Sequence, residues 1–134
     1  MAAKVIDSWA LIAFFEDENA AEEVEKILNL ASVNRCKLFM SVVNWGEVYY
    51  STMRKTSREV ADKVAGQIAS LPIEIVGVSE DLAMVKQASL YKASYKMSYA
   101  DCFAAALAKE KKAELITGDL EFKNVENEIK INWL

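Results

Sequence analysis

The fold class of this chain is indicated by residues 98–119, whose sequence is SYADCFAAALAKEKKAELITGD. Ser98 is a typical helix N-cap residue, and the alanine-rich run after it predicts a helix that ends near Lys111. The apolar segment 114–116 predicts a short strand, and the Gly-Asp pair after it marks a turn. A helix that leads into a buried strand and then into a turn is the repeating unit of an α/β protein.

The same alternation of strands and helices runs through the rest of the chain. Further strands are predicted at 5–6, 37–40 and 73–78, with a weaker one at 128–131. Helices are predicted at 8–15, 20–31 and 41–54, from the capping-box pair Thr56 and Glu59 to just before Pro72, and from Ser79 to about Tyr91. This order predicts one three-layer α/β/α domain over residues 1–134, with a central parallel sheet of about five strands.

Length and composition agree with a single globular domain. The chain has 134 residues, of which 53% are hydrophobic and 27% are charged, with only four glycines and one proline. No stretch approaches the roughly 18 consecutive apolar residues of a membrane span, and Asp7 falls where a signal peptide would need an apolar run. We therefore expect a soluble, cytoplasmic protein that makes no membrane contact.

The absence of histidine is the most restrictive feature of the composition. It excludes Ser-His-Asp and Cys-His catalysis and every His-dependent metal site, and two cysteines cannot form a zinc site by themselves. Catalysis would then rely on carboxylates, hydroxyls, lysines or a hard cation such as Mg²⁺ or Mn²⁺. The net charge of −4 does not favour a nucleic-acid partner, but four acids acting as metal ligands would leave the remaining charges balanced.

Four acidic residues lie where ligands bind in parallel α/β proteins, beyond the carboxyl ends of the strands. Asp7 and Asp119 directly follow predicted strands, Asp101 lies in the first turn of the helix that precedes the fourth strand, and Glu47 lies in the helix that follows the second. Carboxylates that converge from four separate segments are suited to bind divalent cations.

Each acid also has a structural explanation. Asp7 could cap the helix that begins at residue 8, Asp101 completes a capping-box pattern with the N-cap residue three positions earlier, and Asp119 could be an ordinary turn residue. Glu47 has no basic residue three or four positions away, so it either reaches solvent or meets a cation. Arg54 lies seven positions after Glu47, on the same side of that helix, and is a candidate substrate-binding residue.

Four motifs in this order resemble those of the PIN-domain family, and specifically of VapC-type toxin ribonucleases from VapBC toxin–antitoxin pairs. The motifs are Val5-Ile6-Asp7-Ser8, Asn44-Trp45-Gly46-Glu47-Val48, the segment 98–108 that begins Ser98-Tyr99-Ala100-Asp101, and Ile116-Thr117-Gly118-Asp119-Leu120-Glu121-Phe122. Each motif is loose when taken alone, but together they span nearly the whole chain.

The resemblance implies a metal-dependent endoribonuclease that hydrolyses RNA phosphodiester bonds. Asp7, Glu47, Asp101 and Asp119 would bind Mg²⁺ or Mn²⁺, and two small hydroxyl residues, Ser8 and Thr117, would order the acids or a water molecule. A cognate antitoxin protein would cover the site, and the toxin would form a homodimer. Trp9 departs from the small polar residue of many relatives, and Glu121 is an extra acid that we leave outside the implied ligand set.

Two other functions are compatible with an α/β domain of this size. One is a catalytically silent PIN-like domain that binds RNA or protein, which an intact acidic quartet disfavours. The other is a receiver-type signalling domain, which needs adjacent acids after the first strand and an Asp directly after the third. Here Asp7 is followed by Ser8, and the predicted third strand is followed by Ser79-Glu80-Asp81, so this second alternative is disfavoured.

Overall fold

The computed structural model describes every residue from Met1 to Leu134. It contains five strands, six α-helices and one 3₁₀ helix. The strands are β1 (Ala2–Ile6), β2 (Cys36–Ser41), β3 (Glu74–Val76), β4 (Glu114–Thr117) and β5 (Ile131–Trp133). The helices are α1 (Ser8–Phe15), α2 (Ala21–Ser32), α3 (Val42–Lys55), α4 (Arg58–Ala69), α5 (Ala83–Ser94) and α6 (Tyr99–Lys111), and the 3₁₀ helix is Leu120–Val125. None of the helices combines the length and the hydropathy that crossing a membrane requires.

All five strands are parallel and lie in the order β3-β2-β1-β4-β5. The first three strands are added in one direction, after which the chain returns to place β4 on the free side of β1, with Val5 opposite Leu115. The chain therefore changes direction between β1 and β4, and the carboxyl ends of these strands border the crevice where ligands bind in such sheets. The predicted fold class and the number of strands are confirmed.

Alternate residues of the central strands point to opposite faces of the sheet, and each face is covered by helices. Val5, Phe39 and Leu115 belong to a core formed with α5, α6 and the 3₁₀ helix. Ile6 and Ile116 belong to the core on the other face, which contains residues of α1 to α4. The three-layer arrangement follows from strands that are apolar on both sides.

Helix α6 is buried along most of its length. Every residue from Asp101 to Ala108 is buried, because the helix packs against the sheet, against α5 and against α3. The alanines of this segment allow close approach on several sides. The first turn of α6 is thus held firmly at the carboxyl edge of the sheet.

Two helix starts differ from those that the sequence predicts. Ser57 caps α4 by accepting a hydrogen bond from the Val60 amide, whereas the Thr56 hydroxyl donates to the Thr52 carbonyl at the end of α3. Helix α5 begins at residue 83 and not near 79, because Leu82 has a left-handed backbone with φ of 67°. Both differences arise from local hydrogen bonding and backbone conformation at the N-cap.

Two strands also differ from the prediction. Strand β3 covers only Glu74–Val76 of the predicted 73–78, and β5 lies at Ile131–Trp133 in place of 128–131. Ile129 is buried, but it belongs to the connection after the 3₁₀ helix and packs into the core beneath α6. An apolar residue in a buried connection resembles a strand residue in the sequence, which explains the shifted prediction.

Trp9 lies directly against Gly118, so the first turn of α1 contacts the turn after β4. A Cβ atom at Gly118 would lie 2.3 Å from the Trp9 ring, far closer than van der Waals contact. Gly118 has no positive φ, so the indole and not the backbone conformation requires glycine here.

We expect Gly118→Ala to lower the free energy of unfolding by roughly 1–3 kcal/mol, because the added methyl overpacks a tight contact. Gly46→Ala is the matched control, since a Cβ at this helical glycine meets nothing within 4 Å. The control should gain about 0.5–1 kcal/mol from reduced backbone entropy in the unfolded chain. Urea denaturation of both variants measures the two changes, and equal stabilities would contradict the proposed contact.

Candidate active site

The candidate site lies at the carboxyl edge of the sheet, where β1 and β4 end beside each other. Asp7 follows β1 as the N-cap of α1, and Asp119 follows β4 as the N-cap of the 3₁₀ helix. Ser41 ends β2 and caps α3, the helix that carries Glu47. Asp101 lies in the first turn of α6. The structure therefore brings the four acids named from the sequence to one edge of the molecule.

Asp7 is completely buried, and both of its carboxylate oxygens accept hydrogen bonds. Oδ1 accepts from the Ala10 amide at 2.9 Å, and Oδ2 accepts from the Thr117 hydroxyl at 2.5 Å. The Thr117 oxygen in turn accepts from the Asp119 amide at 2.9 Å. Thr117 thus connects the acid after β1 to the turn that carries the acid after β4.

Ser8 provides a similar connection to α3. Its buried hydroxyl donates a short hydrogen bond to Oε1 of Glu47, a side chain 39 positions away in the sequence. Glu47 is half-buried and forms no ion pair with lysine or arginine. Ser8 and Thr117 therefore hold the carboxylates of Glu47 and Asp7, respectively.

The capping of α6 leaves the Asp101 carboxylate available. The Ser98 hydroxyl accepts from the Asp101 amide at 3.1 Å, which is one half of the predicted capping box. The other half, the bond from the Ser98 amide, goes at 3.0 Å to Oε1 of Glu121 and not to Asp101. A residue 23 positions later in the sequence thus replaces Asp101 in its structural role.

Glu121 belongs to the acidic cluster, although the sequence analysis left it outside the ligand set. Carboxylate oxygens of Asp101, Asp119 and Glu121 lie within 4.8 Å of one another, close enough to share one cation. The Glu121 amide also donates to Oδ1 of Asp119 at 3.0 Å, which places the two side chains in one turn of the 3₁₀ helix. In the sequence, the only indication that Glu121 belongs to the cluster is its position two residues after Asp119.

Burial and mutual repulsion perturb two of the acids strongly. Burial, together with the charges of Asp119 and Glu47, raises the pKa of Asp7 to about 7 despite its two hydrogen bonds. Burial raises the pKa of Asp101 to about 9, with further contributions from the neighbouring charges of Asp119 and Asp7. The acids of the quartet therefore interact electrostatically with one another.

No lysine or arginine forms an ion pair with an acid of the site. The ion pairs of the structure involve Glu16, Glu23 and Glu114, none of which belongs to the site. Closely spaced oxygen ligands without histidine or cysteine match the preferences of Mg²⁺ and Mn²⁺. The residues present therefore fit a divalent cation.

Arg54 stands apart from the acids. Its side chain is exposed at the end of α3, and the guanidinium lies 5.1 Å from the ring centre of Tyr50, a cation–π contact. It forms no ion pair with a carboxylate. The structure places Arg54 two turns along α3 from Glu47 without a direct contact to the acidic cluster.

The parallel α/β domain carries its acidic site at the switch point between β1 and β4. The family model of the PIN domain matches residues 4–128. The chain therefore belongs to the PIN-domain family. No curated protein sequence matches it significantly.

Similar solved structures include several VapBC toxin–antitoxin proteins. DNA-bound VapBC from Salmonella typhimurium aligns with a TM-score of 0.72 at 16% identity, covering 98% of both chains. VapBC-1 from Haemophilus influenzae aligns with a TM-score of 0.69 at 19% identity, covering 98% of this chain and 97% of that chain. Mycobacterium tuberculosis VapC20 is described as a toxin that cleaves the sarcin-ricin loop. It aligns with a TM-score of 0.70 at 15% identity, covering 94% of this chain and 95% of that chain. Likeness at these identities establishes a shared fold.

The raised pKa values predict how stability depends on pH when metal is removed. Asp7 and Asp101 hold their protons more tightly in the folded chain than at the ordinary pKa of 3.8, so folding is favoured while they are protonated. The stabilising effect is complete below about pH 4 and is lost as the pH rises through the folded-state values near 7 and 9.

In EDTA, we expect the Tm to fall between about pH 5 and pH 9. Asp101→Asn removes one ionising group, so its Tm should fall less steeply and exceed that of the wild type at the alkaline end. Asp17→Asn, which alters an exposed acid at the end of α1, should follow the wild type. Scanning calorimetry at each pH measures these slopes, and parallel slopes for all three proteins would contradict the raised pKa of Asp101.

Proposed function

We propose that this protein is a metal-dependent endoribonuclease that hydrolyses RNA phosphodiester bonds, and that it is the toxin of a VapBC-type pair. The observation that carries the proposal is a group of convergent carboxylates, two of them buried, none of which forms an ion pair with a lysine or arginine. Membership in the PIN-domain family and the likeness to VapBC structures support the same conclusion.

In this proposal, Asp7, Glu47, Asp101 and Asp119 hold Mg²⁺ or Mn²⁺, and Glu121 is an additional ligand next to Asp101 and Asp119. When bound, the cation would neutralise phosphate charge and lower the pKa of a water molecule. It would also favour the ionised form of Asp7 and Asp101 against the burial and neighbouring charges that raise their pKa values, so both carboxylates would be ionised at neutral pH.

The hydroxyl residues would keep the carboxylates in position. Thr117 has its proton engaged by Asp7 and its lone pair by the Asp119 amide, so it cannot rotate freely. Ser8 restrains Glu47 in the same way. We therefore assign Ser8 and Thr117 to orienting the ligands, because a small misplacement of reacting groups costs orders of magnitude in rate.

The alternative is a catalytically silent PIN-like domain that binds RNA or protein. A silent domain has no need for buried carboxylates whose repulsion opposes folding, and substitution of these acids would increase its stability. All four acids of the quartet are present here. A chelator would leave RNA binding by a silent domain unchanged, whereas it would abolish RNA cleavage by a metal-dependent nuclease.

We expect Asp7→Asn and Asp101→Asn to reduce RNA cleavage by roughly a hundredfold or more, because each removes a charged ligand and misplaces the reacting groups. EDTA should abolish cleavage by the wild type, and added Mg²⁺ or Mn²⁺ should restore it. Asp17→Asn is the control, since it makes the same change at an exposed acid outside the site. Rates on a fluorescent RNA test the assignment, and wild-type rates for either site variant would refute it.

We also propose that Arg54 contacts the RNA backbone. Its guanidinium is exposed, free of any carboxylate and held over the Tyr50 ring, two turns from Glu47 on the same helix. Arginine suits phosphate because its planar group donates two parallel hydrogen bonds.

Arg54→Ala should raise KM for RNA several-fold and leave kcat nearly unchanged, because a backbone contact contributes about equally to substrate and transition-state binding. The control is Arg35→Ala, which removes an exposed arginine just before β2, at the opposite edge of the sheet. If the two variants have equal KM values, Arg54 makes no contact with substrate.

An antitoxin protein is the partner that this function requires. VapBC-5 from Mycobacterium tuberculosis is described as a member of a family of toxin–antitoxin systems, and another structural neighbour is described as a toxin–antitoxin complex from Klebsiella pneumoniae. A groove of about 170 Å³ between α1, α3 and α4 offers an apolar surface, lined in part by Ile12, Phe15, Val48 and Val64. We propose that an antitoxin segment binds this protein, that the toxin is a homodimer, and that it acts on RNA in the cytoplasm.

A further inference from the structure

Asn44 is a buried polar residue that the proposed chemistry does not use. It lies in α3, three residues before Glu47, and has no solvent exposure. Its side-chain amide Nδ2 donates at 3.2 Å to the carbonyl of Ala100, the residue directly before Asp101. One hydrogen bond therefore joins the helix that carries Glu47 to the first turn of the helix that carries Asp101.

The energetics of Asn44 do not favour a purely structural role. Its Oδ1 atom is buried and accepts no hydrogen bond from the protein. An unpartnered buried polar atom costs more free energy than one neutral hydrogen bond contributes, and an apolar residue of the same size would avoid this cost. The Ala100 carbonyl lies within α6, where a backbone N–H one turn later is available to donate to it, so it does not depend on Asn44 for a partner. A buried polar atom without a partner in the protein therefore calls for an explanation beyond packing.

We propose that Asn44 is a positioning residue of the acidic site, which fixes the first turn of α6, and with it Asp101, against the helix that carries Glu47. This inference rests on the proposed function. The like charges of the site favour separation of the elements that carry them, and the hydrogen bond between α3 and α6 opposes this separation in addition to the packing of α6. Among the hydrogen bonds of the site, the one from the Ser98 amide links α6 to the 3₁₀ helix, and the one from Ser8 links Glu47 to α1, whereas the bond from Asn44 links α3 to α6.

Asn44→Leu tests the inference because leucine has a similar size but neither donates nor accepts hydrogen bonds. We expect its Tm in EDTA to equal or exceed that of the wild type. Its dissociation constant for Mn²⁺ should rise about 10–100-fold, as is usual when a residue that orients metal ligands is removed. Isothermal titration of the folded protein with Mn²⁺ gives the affinity without any assay of cleavage.

Tyr91→Phe is the matched control. Tyr91 is also buried with an unpartnered polar atom, but it lies in α5 outside the acidic site. Removal of the Tyr91 hydroxyl should not change the affinity of the protein for Mn²⁺. A second variant, Asn44→Ala, removes the same hydrogen bond with a smaller side chain and should weaken Mn²⁺ binding in the same way as leucine.

The outcomes separate this inference from the proposed function. If the wild type binds no Mn²⁺ in the titration and cleaves no RNA, the proposed function fails and this inference fails with it. If the wild type binds Mn²⁺ and Asn44→Leu binds it equally well, only the positioning role is wrong. If both Asn44 variants unfold or lose stability in EDTA, Asn44 is a structural residue and the inference is overturned.

Discussion

Burial of like-charged carboxylates at the junction of β1 and β4 is the constraint on which the surrounding structure depends. Asp7 and Asp119 follow two neighbouring strands, and Asp101 lies in the first turn of α6 at the same edge. Each of these acids lies at or near the N-terminus of a helix, where free amide groups and the helix dipole favour negative charge. That compensation is incomplete for Asp7 and Asp101, whose pKa values remain raised. Ionisation of these two acids therefore lowers the stability of the folded protein.

The hydrogen bonds around the site distribute its structural and chemical roles among different residues. Asp7 serves as a helix cap through Oδ1 and still presents Oδ2 to Thr117. Glu121 completes the cap of α6 from another part of the chain, so the carboxylate of Asp101 is not consumed by capping. A ligand that binds only the folded protein would stabilise it by mass action, so the divalent cation of the proposed function would contribute to both stability and activity.

Much of the fold could be predicted because its determinants are local. The alternation of apolar strands with capped helices predicted the parallel sheet, and the acids that follow β1 and β4 predicted the edge at which a site would form. The positions of Glu121 and Asn44 in that site depend on contacts with α6, across 23 and 56 positions of the sequence. No periodic pattern encodes such contacts. The late start of β5 was missed for a related reason, since burial of Ile129 is a property of the tertiary packing.

The contact between Trp9 and Gly118 has a consequence for how this protein can evolve. The indole occupies the space that any side chain at position 118 would need, so the two positions are not independent. A lineage could acquire a larger residue at 118 only after position 9 had become smaller, whereas the reverse order would pass through a poorly folded intermediate. The tryptophan therefore makes the glycine beside Asp119 an epistatic partner, and any homologue with a side chain at position 118 should have lost the tryptophan at position 9.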